Sequence, residues 1–142
     1  MSFIWKSPQS IEELTERAEN TMGQHLDMEF IELGDNYLKM KMPVTAKTKQ
    51  PMGLLHGGAT AALAETIGSV SAVMCVDAVK ESIVGLELNI NHLRAMKDGF
   101  VIATCKPFHL GRTTHVWNIE IKDEKDRMVS VARLTTMVIK KH

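Results

Sequence analysis

The stretch Gly57-Gly-Ala-Thr-Ala-Ala-Leu-Ala-Glu65-Thr-Ile-Gly-Ser69-Val-Ser-Ala-Val-Met-Cys-Val76 decides the fold. It predicts a helix with apolar or small residues on every face, the composition of a helix enclosed by other structure. Glu65 is the only charged side chain between His56 and Asp77. A carboxylate in an apolar setting is costly unless something pairs with it or uses it. The length would also suit a membrane span. Three glycines, two serines, two threonines and the central Glu65 argue instead for enclosure within protein. An acidic residue at the centre of a span costs about 3 kcal/mol.

On the N-terminal side, Gln50-Pro-Met-Gly-Leu-Leu-His56-Gly-Gly58 offers polar side chains and glycine amides. Glycines let a backbone approach a ligand closely. The first amides of a helix have no partner within it and carry partial positive charge. Such amides can polarise a carbonyl as an oxyanion hole; a plain entry turn is the alternative reading of Gly57-Gly58. His56 reads equally as a structural hydrogen-bonder or a substrate contact. Ser69, four residues past Glu65, shares its face. It can hold the carboxylate or a water, or serve only as a small residue for close packing. Glu65 lies eight positions past Gly57, about 12 Å along a helix axis. One carbonyl cannot meet both groups of one chain. A second copy with an antiparallel helix would join them, so the spacing predicts a two-fold dimer with shared sites.

The flanking segments supply the enclosure. Residues 10–22 predict a short amphipathic helix, with Ser10 and Glu13 as a capping box and Ile11, Leu14 and Ala18 as its apolar stripe. Residues 28–33 and 37–44 predict a hairpin around Gly34-Asp-Asn36, with Leu38, Met40, Met42 and Val44 alternating with Lys39 and Lys41. Past the helix, residues 83–94, 100–108, 115–122 and 128–140 predict four strands. In the first, Leu86, Leu88 and Ile90 alternate with Glu87, Asn89 and Asn91; in the third, Trp117, Ile119 and Ile121 alternate with polar residues. Three hairpin-type connections imply an antiparallel sheet. Half-polar strands need one covered face and an apolar helix needs a sheet around it. The expectation is an α+β hotdog fold, one curved antiparallel sheet around one long helix, as a single domain over residues 1–142.

Composition narrows the function. Seventeen basic residues balance seventeen acidic ones, so no basic field calls for nucleic acid. Cys75 and Cys105 form no disulfide framework. The opening Met-Ser-Phe-Ile-Trp-Lys-Ser-Pro8 has no apolar export run, so reduced thiols in the cytoplasm and no membrane partner are expected. His92, His109 and His115 lack metal-ligand spacing, and CxxC, GxGxxG, P-loop and GxSxG motifs are absent. Two strand ends are basic, Asn89-Ile-Asn-His-Leu-Arg94 and Lys106-Pro-Phe-His-Leu-Gly-Arg112. Clustered, His92, Arg94, Lys106, His109 and Arg112 would suit phosphates; a solvated sheet edge explains them equally well.

The chain resembles the hotdog acyl-CoA thioesterases, in the group that holds the 1,4-dihydroxy-2-naphthoyl-CoA thioesterases of menaquinone synthesis and the proofreading thioesterase of enterobactin synthesis. The resemblance rests on Thr48-Lys-Gln-Pro-Met-Gly-Leu-Leu-His-Gly-Gly-Ala59, Leu63-Ala-Glu-Thr-Ile-Gly-Ser69, Val84-Gly-Leu-Glu-Leu-Asn-Ile-Asn-His-Leu-Arg94, Cys105-Lys-Pro-Phe-His-Leu-Gly111 and Val116-Trp-Asn-Ile-Glu-Ile-Lys-Asp-Glu-Lys125. It implies Glu65 as catalytic carboxylate, either nucleophile or general base for water. It implies Gly57 as the oxyanion amide, Gln50 and His56 as orienting groups, and Ser69 as partner of the hydrolytic water. Gly85, His92, Leu93, Arg94, Ala95, His109, Leu110, Gly111, Arg112, Thr113 and Thr114 would hold coenzyme A. Coenzyme A is then part of the substrate, so no cofactor and no metal are implied, and the assembly would be a homotetramer, a dimer of dimers. The pattern departs from the family at Arg112-Thr-Thr114 and in a slightly longer loop at residues 77–82. A hotdog enoyl-CoA hydratase or dehydratase is the rival enzyme, but its His-Phe-Pro-type segment is missing. A non-catalytic acyl-CoA-binding module is the other rival, and the 142 residues leave no room for the DNA-binding domain such modules usually carry.

Overall fold

Alternation along the strands builds the core. In β2 (Leu38–Pro43), Leu38, Met40 and Met42 are buried while Lys39 and Lys41 point outward. In β5 (Thr114–Lys122), Trp117, Ile119 and Ile121 are fully buried. Val101, Ala103 and Cys105 of β4 (Phe100–Leu110), with Ala132 and Leu134 of β6 (Met128–Lys140), complete that face. These strands join β1 (Glu29–Leu33) and β3 (Glu81–His92) in one six-stranded antiparallel sheet, ordered β1-β2-β4-β5-β6-β3. The computed structural model describes residues 2–142.

The sheet encloses α3 (Gly57–Met74), the eighteen-residue helix predicted from its composition. Leu63, Ala64, Ile67, Ala72 and Met74 of α3 are fully buried. Its hydroxyls turn back on its own backbone, Thr66 Oγ1 to the Ala62 carbonyl and Ser71 Oγ to the Ile67 carbonyl, each at 2.7 Å. Gly68 allows close approach to β6, since a Cβ there would stand 2.4 Å from Leu134 Cδ2. The fold is α+β, a hotdog. No described helix is long and apolar enough to cross a membrane.

Four local expectations are corrected. The 10–22 helix is two pieces, α1 (Ile11–Arg17) and α2 (Met22–His25), parted by a turn in which Asn20 adopts φ 60°. The Ser10–Glu13 capping box does form, through bonds of 2.7 and 3.1 Å. Second, β3 and β4 are not a hairpin: β3 pairs with β6, and β4 pairs with β2. Seven residues join them, and at about 3.3 Å each they easily span three strand spacings of about 4.8 Å. Third, Leu86 does not face the core. A bulge between Gly85 and Glu87 leaves Leu86 unpaired and 55% exposed, while Leu88 and Ile90 pack on the core. The last correction, to the basic cluster, follows from the site geometry below.

Candidate active site

The expected site residues nearest α3 fall into two groups, one at its N-terminus and one midway along it. The first group surrounds its N-terminus. His56 caps the helix, its Nδ1 accepting from the Gly58 amide at 2.7 Å. The loop before it closes on itself: the Gln50 amide donates to the Leu54 carbonyl at 2.8 Å, and Gln50 Oε1 accepts from the Met52 amide. Gly53 turns that loop at φ +79°, and the Leu55 amide ties it to the Met96 carbonyl at 2.8 Å. Gly57 faces His92 so closely that a Cβ would lie 2.7 Å from His92 Nε2. The other ring nitrogen, His92 Nδ1, is 3.0 Å from Ser130 Oγ. Gln50, Gly57, Thr60, His92, Arg94 and Ser130 thus line one cleft of about 380 Å³, with Leu93 and Ala95 on its wall.

The second group surrounds Glu65. This half-buried carboxylate lies against β3 at Gly85, where a Cβ would be 2.6 Å from Oε1. The bulge beside Gly85 brings the backbone there, which is a common place for a bulge to sit in an active site. One turn on, Ser69 opens into a second cavity of about 380 Å³ between α3, β1, β2 and the α1–α2 pair. Its lining is largely apolar, including Leu14, Met28, Phe30, Met40 and Val70.

The basic segments do not form one patch within a chain. His92 pairs with Ser130 at one end of β6, whereas Thr114 pairs with Met137 near the other. Met137 lies seven positions past Ser130, about 23 Å of strand. The β4–β5 turn holding His109, Leu110, Gly111, Arg112 and Thr113 is fixed at that far end, the Val138 amide donating to the Thr113 carbonyl at 2.9 Å. Lys106 stands apart again, with Nζ 5.8 Å from the centre of the Tyr37 ring. The expectation failed because it treated β3 and β4 as neighbours.

Residues 52–130 match the sequence profile of the thioesterase superfamily. The chain belongs to that superfamily. It is 47% identical over 137 residues to the 1,4-dihydroxy-2-naphthoyl-CoA hydrolase of Escherichia coli, covering 96% of this chain and all of that protein. Among solved structures, a thioesterase of Haemophilus influenzae superposes with a TM-score of 0.94 at 40% identity, covering 97% of this chain and 96% of its own. A mutant thioesterase of Pseudomonas aeruginosa superposes at 0.95 with 40% identity, covering 97% and 99%. This chain is a thioester hydrolase.

Two features of the candidate site were missed in the sequence. Ser130, fully buried, holds His92, and its only mark is a hydroxyl at an inward position of β6 among Ala132 and Leu134. The α1 helix, read only as packing, walls the apolar cavity through Leu14, Arg17 and Ala18. Both cysteines are free, and burial pushes each thiol up to about 12. No group of three His, Cys, Asp or Glu side chains that could hold a metal ion occurs among the described residues.

Proposed function

We propose that this thioesterase hydrolyses an aromatic or hydroxyaromatic acyl-CoA, of the 1,4-dihydroxy-2-naphthoyl-CoA kind, at sites each shared by two copies of the chain. The carrying observation is the split of the site along α3. The Gly57 cleft and the Glu65 carboxylate lie at separate places in one chain, yet the reaction needs both at one carbonyl. β3 is the last strand of the sheet, with Val84 and Leu86 exposed along it. Pairing β3 with its copy across a two-fold axis sets the two α3 helices antiparallel. It brings the His92–Ala95 end of one chain toward the Gly85 and β4–β5 turn end of the other. Phosphates of coenzyme A would then meet Arg94 of one copy and the His109–Thr114 turn of the other.

In this reading the Gly57 amide holds the thioester oxygen, and Gln50 and His56 orient the group. Glu65 either attacks the carbonyl carbon or takes a proton from the water that does, with Ser69 beside it. If Glu65 acts as base, the tetrahedral species reforms its carbonyl, the C–S bond breaks, and the thiolate takes the proton that Glu65 removed from water. If Glu65 attacks, C–S cleavage leaves an acyl–Glu65 anhydride that water then hydrolyses, its proton going to the thiolate. Water adds across the bond overall, giving a free acid and coenzyme A, with no metal or redox cofactor taking part. The substrate class rests on the identity with the Escherichia coli hydrolase and on the apolar cavity beside Ser69. A role in menaquinone synthesis, a cytoplasmic location and a tetramer made of two such dimers belong to the same reading.

The experiment is hydrolysis of an acyl-CoA panel by the wild type and Glu65→Gln. Loss of an acid–base group costs about 10²–10⁴-fold in rate. Retention of more than roughly a tenth of turnover would make Glu65 structural and remove the mechanism.

A further inference from the structure

In the cleft at the start of α3, a buried hydroxyl is bonded to an exposed ring. Ser130 is fully buried, yet the ring it touches, His92, is exposed and lines the cleft together with Gly57. The two residues are cross-strand partners in β6 and β3, and His92 Nδ1 is 3.0 Å from Ser130 Oγ. The backbone just past the ring is fixed as well. The Leu93 and Arg94 amides both donate to the Val129 carbonyl, at 2.8 and 3.2 Å. Strand β6 thus sets the ring from both sides and leaves Nε2 against Gly57.

Hydrogen-bond accounting assigns the ring proton. Among the described residues, Ser130 Oγ has no partner other than His92 Nδ1. Were Nδ1 the donor, the buried hydroxyl would keep its own hydrogen unpaired, which is costly. With the hydroxyl donating to Nδ1, the buried group is satisfied. An uncharged imidazole that accepts at Nδ1 carries its hydrogen on Nε2. A Cβ on Gly57 would lie 2.7 Å from that Nε2. The Gly57 nitrogen is about 2.5 Å from the same Cβ position, so the two nitrogens are at most about 5 Å apart. The Gly57 amide opens α3 and has no hydrogen-bond partner among the described residues. Each N–H···O bond is about 2.9 Å long, so one oxygen can accept from both nitrogens.

We infer that His92 is a catalytic residue whose Nε2–H donates to the thioester oxygen beside the Gly57 amide, and that Ser130 is the positioning residue that holds the ring in that state. The inference rests on the reading in which Gly57 polarises the carbonyl, and it deepens that reading by a second donor. It gives His92 work at the reacting carbonyl, apart from the coenzyme A contact that the resemblance implies. As the carbonyl carbon becomes tetrahedral, its oxygen gains negative charge. A donor already fixed in place stabilises that charge more than it stabilises the ground state. No proton leaves Nε2 in this step. Gly57, His92 and Ser130 belong to one chain, so the assignment is independent of how two copies share the remainder of the site.

The test measures kcat and KM on two thioesters of one acyl group, the one hydrolysed fastest in the panel above. One is its CoA ester; the other is its N-acetylcysteamine ester, which lacks the nucleotide. His92→Ala should lower kcat about 10²-fold on both. Ser130→Ala should lower kcat about tenfold on both, with KM little changed. In a His92→Ala background, Ser130→Ala should cost nothing further, because its effect passes through the ring. A loss confined to KM for the CoA ester would make His92 a nucleotide contact and overturn the assignment. An equal loss from Ser130→Ala in both backgrounds would make Ser130 a packing residue and overturn its role. Glu65→Gln is assayed alongside. If it keeps full turnover, the candidate site is wrong and this inference falls with it. If it is inactive while His92→Ala keeps its kcat, this inference alone falls.

Discussion

Single side chains in this enzyme are placed by what glycine omits. Gly85 carries no Cβ, and Glu65 occupies the space one would take. Gly85→Ala should leave the strand as stable as before or slightly more so, because glycine is the costlier residue in a strand. The carboxylate must shift to accommodate the methyl, and misplacement by an ångström costs about 10²-fold in rate. Kinetics and thermal melting on the same preparation separate the two effects; an unchanged kcat would mean that the observed carboxylate position is not the reacting one. A second residue-scale outcome concerns His115, which is 3% exposed, with Nδ1 buried and unpartnered. Burial pushes its imidazole below the ordinary value, and the charges of Lys6 and His109 add to this against weaker opposition from Glu81 and the backbone contact with Gly111. Above about pH 6.5 the ring is neutral in folded and unfolded chains alike. As the pH falls further, the unfolded chain takes the proton first, so stability declines until the lowered folded value is passed. Between pH 8 and 5.5 the wild type should lose more of its denaturation midpoint than His115→Gln does. Glu65 and Gly57 stood out in the sequence because composition isolates them. Ser130 did not, because a hydroxyl acquires its meaning only from a distant ring.

Elements were legible where one face alone is buried. The Leu38, Met40, Met42 and Trp117, Ile119, Ile121 alternations fixed two strands and their inward faces. At β3 the same pattern misled at Leu86, since a bulge inserts one residue and turns the remaining sequence over. Strand order was hidden for a different reason: a seven-residue link is long enough for either a hairpin or a crossing, and the choice belongs to the sheet as a whole. The contact between α3 and β6 offers a test at this scale. Gly68→Ala improves helix propensity by about 1 kcal/mol. Its new methyl would meet Leu134, and overpacking costs about 1–3 kcal/mol. A net destabilisation of up to about 2 kcal/mol is expected in denaturant titrations. In a Leu134→Ala background the penalty should vanish, and an equal penalty in both backgrounds would place the strain elsewhere.

At the scale of the whole molecule, the proposed two-fold dimer makes one chain half of each site. Inactive Glu65→Gln chains refolded in equal amount with inactive Gln50→Ala chains should recover activity. About half the dimers would be hybrids with one intact site of two, giving roughly a quarter of wild-type activity per chain. No recovery, with hybrids confirmed by mass, would confine the site to a single chain. The separation of Gly57 and Glu65 along α3 was legible in the sequence as eight helical positions, whereas the basic segments' separation across the sheet had to be seen. The enclosed core has a further consequence for an enzyme of this chemistry. Each turnover liberates a thiol, and its oxidised disulfide can exchange with any protein thiolate it reaches. Cys105 is wholly enclosed and Cys75 is 5% exposed, each with its thiol pushed up to about 12 by burial. Burial disfavours the ionised form, and only the ionised sulfur attacks. Native protein held with coenzyme A disulfide should keep its unmodified mass, while unfolded protein acquires the adduct. Burial of both thiols thus guards the folded hydrolase against mixed disulfides with the thiol it releases.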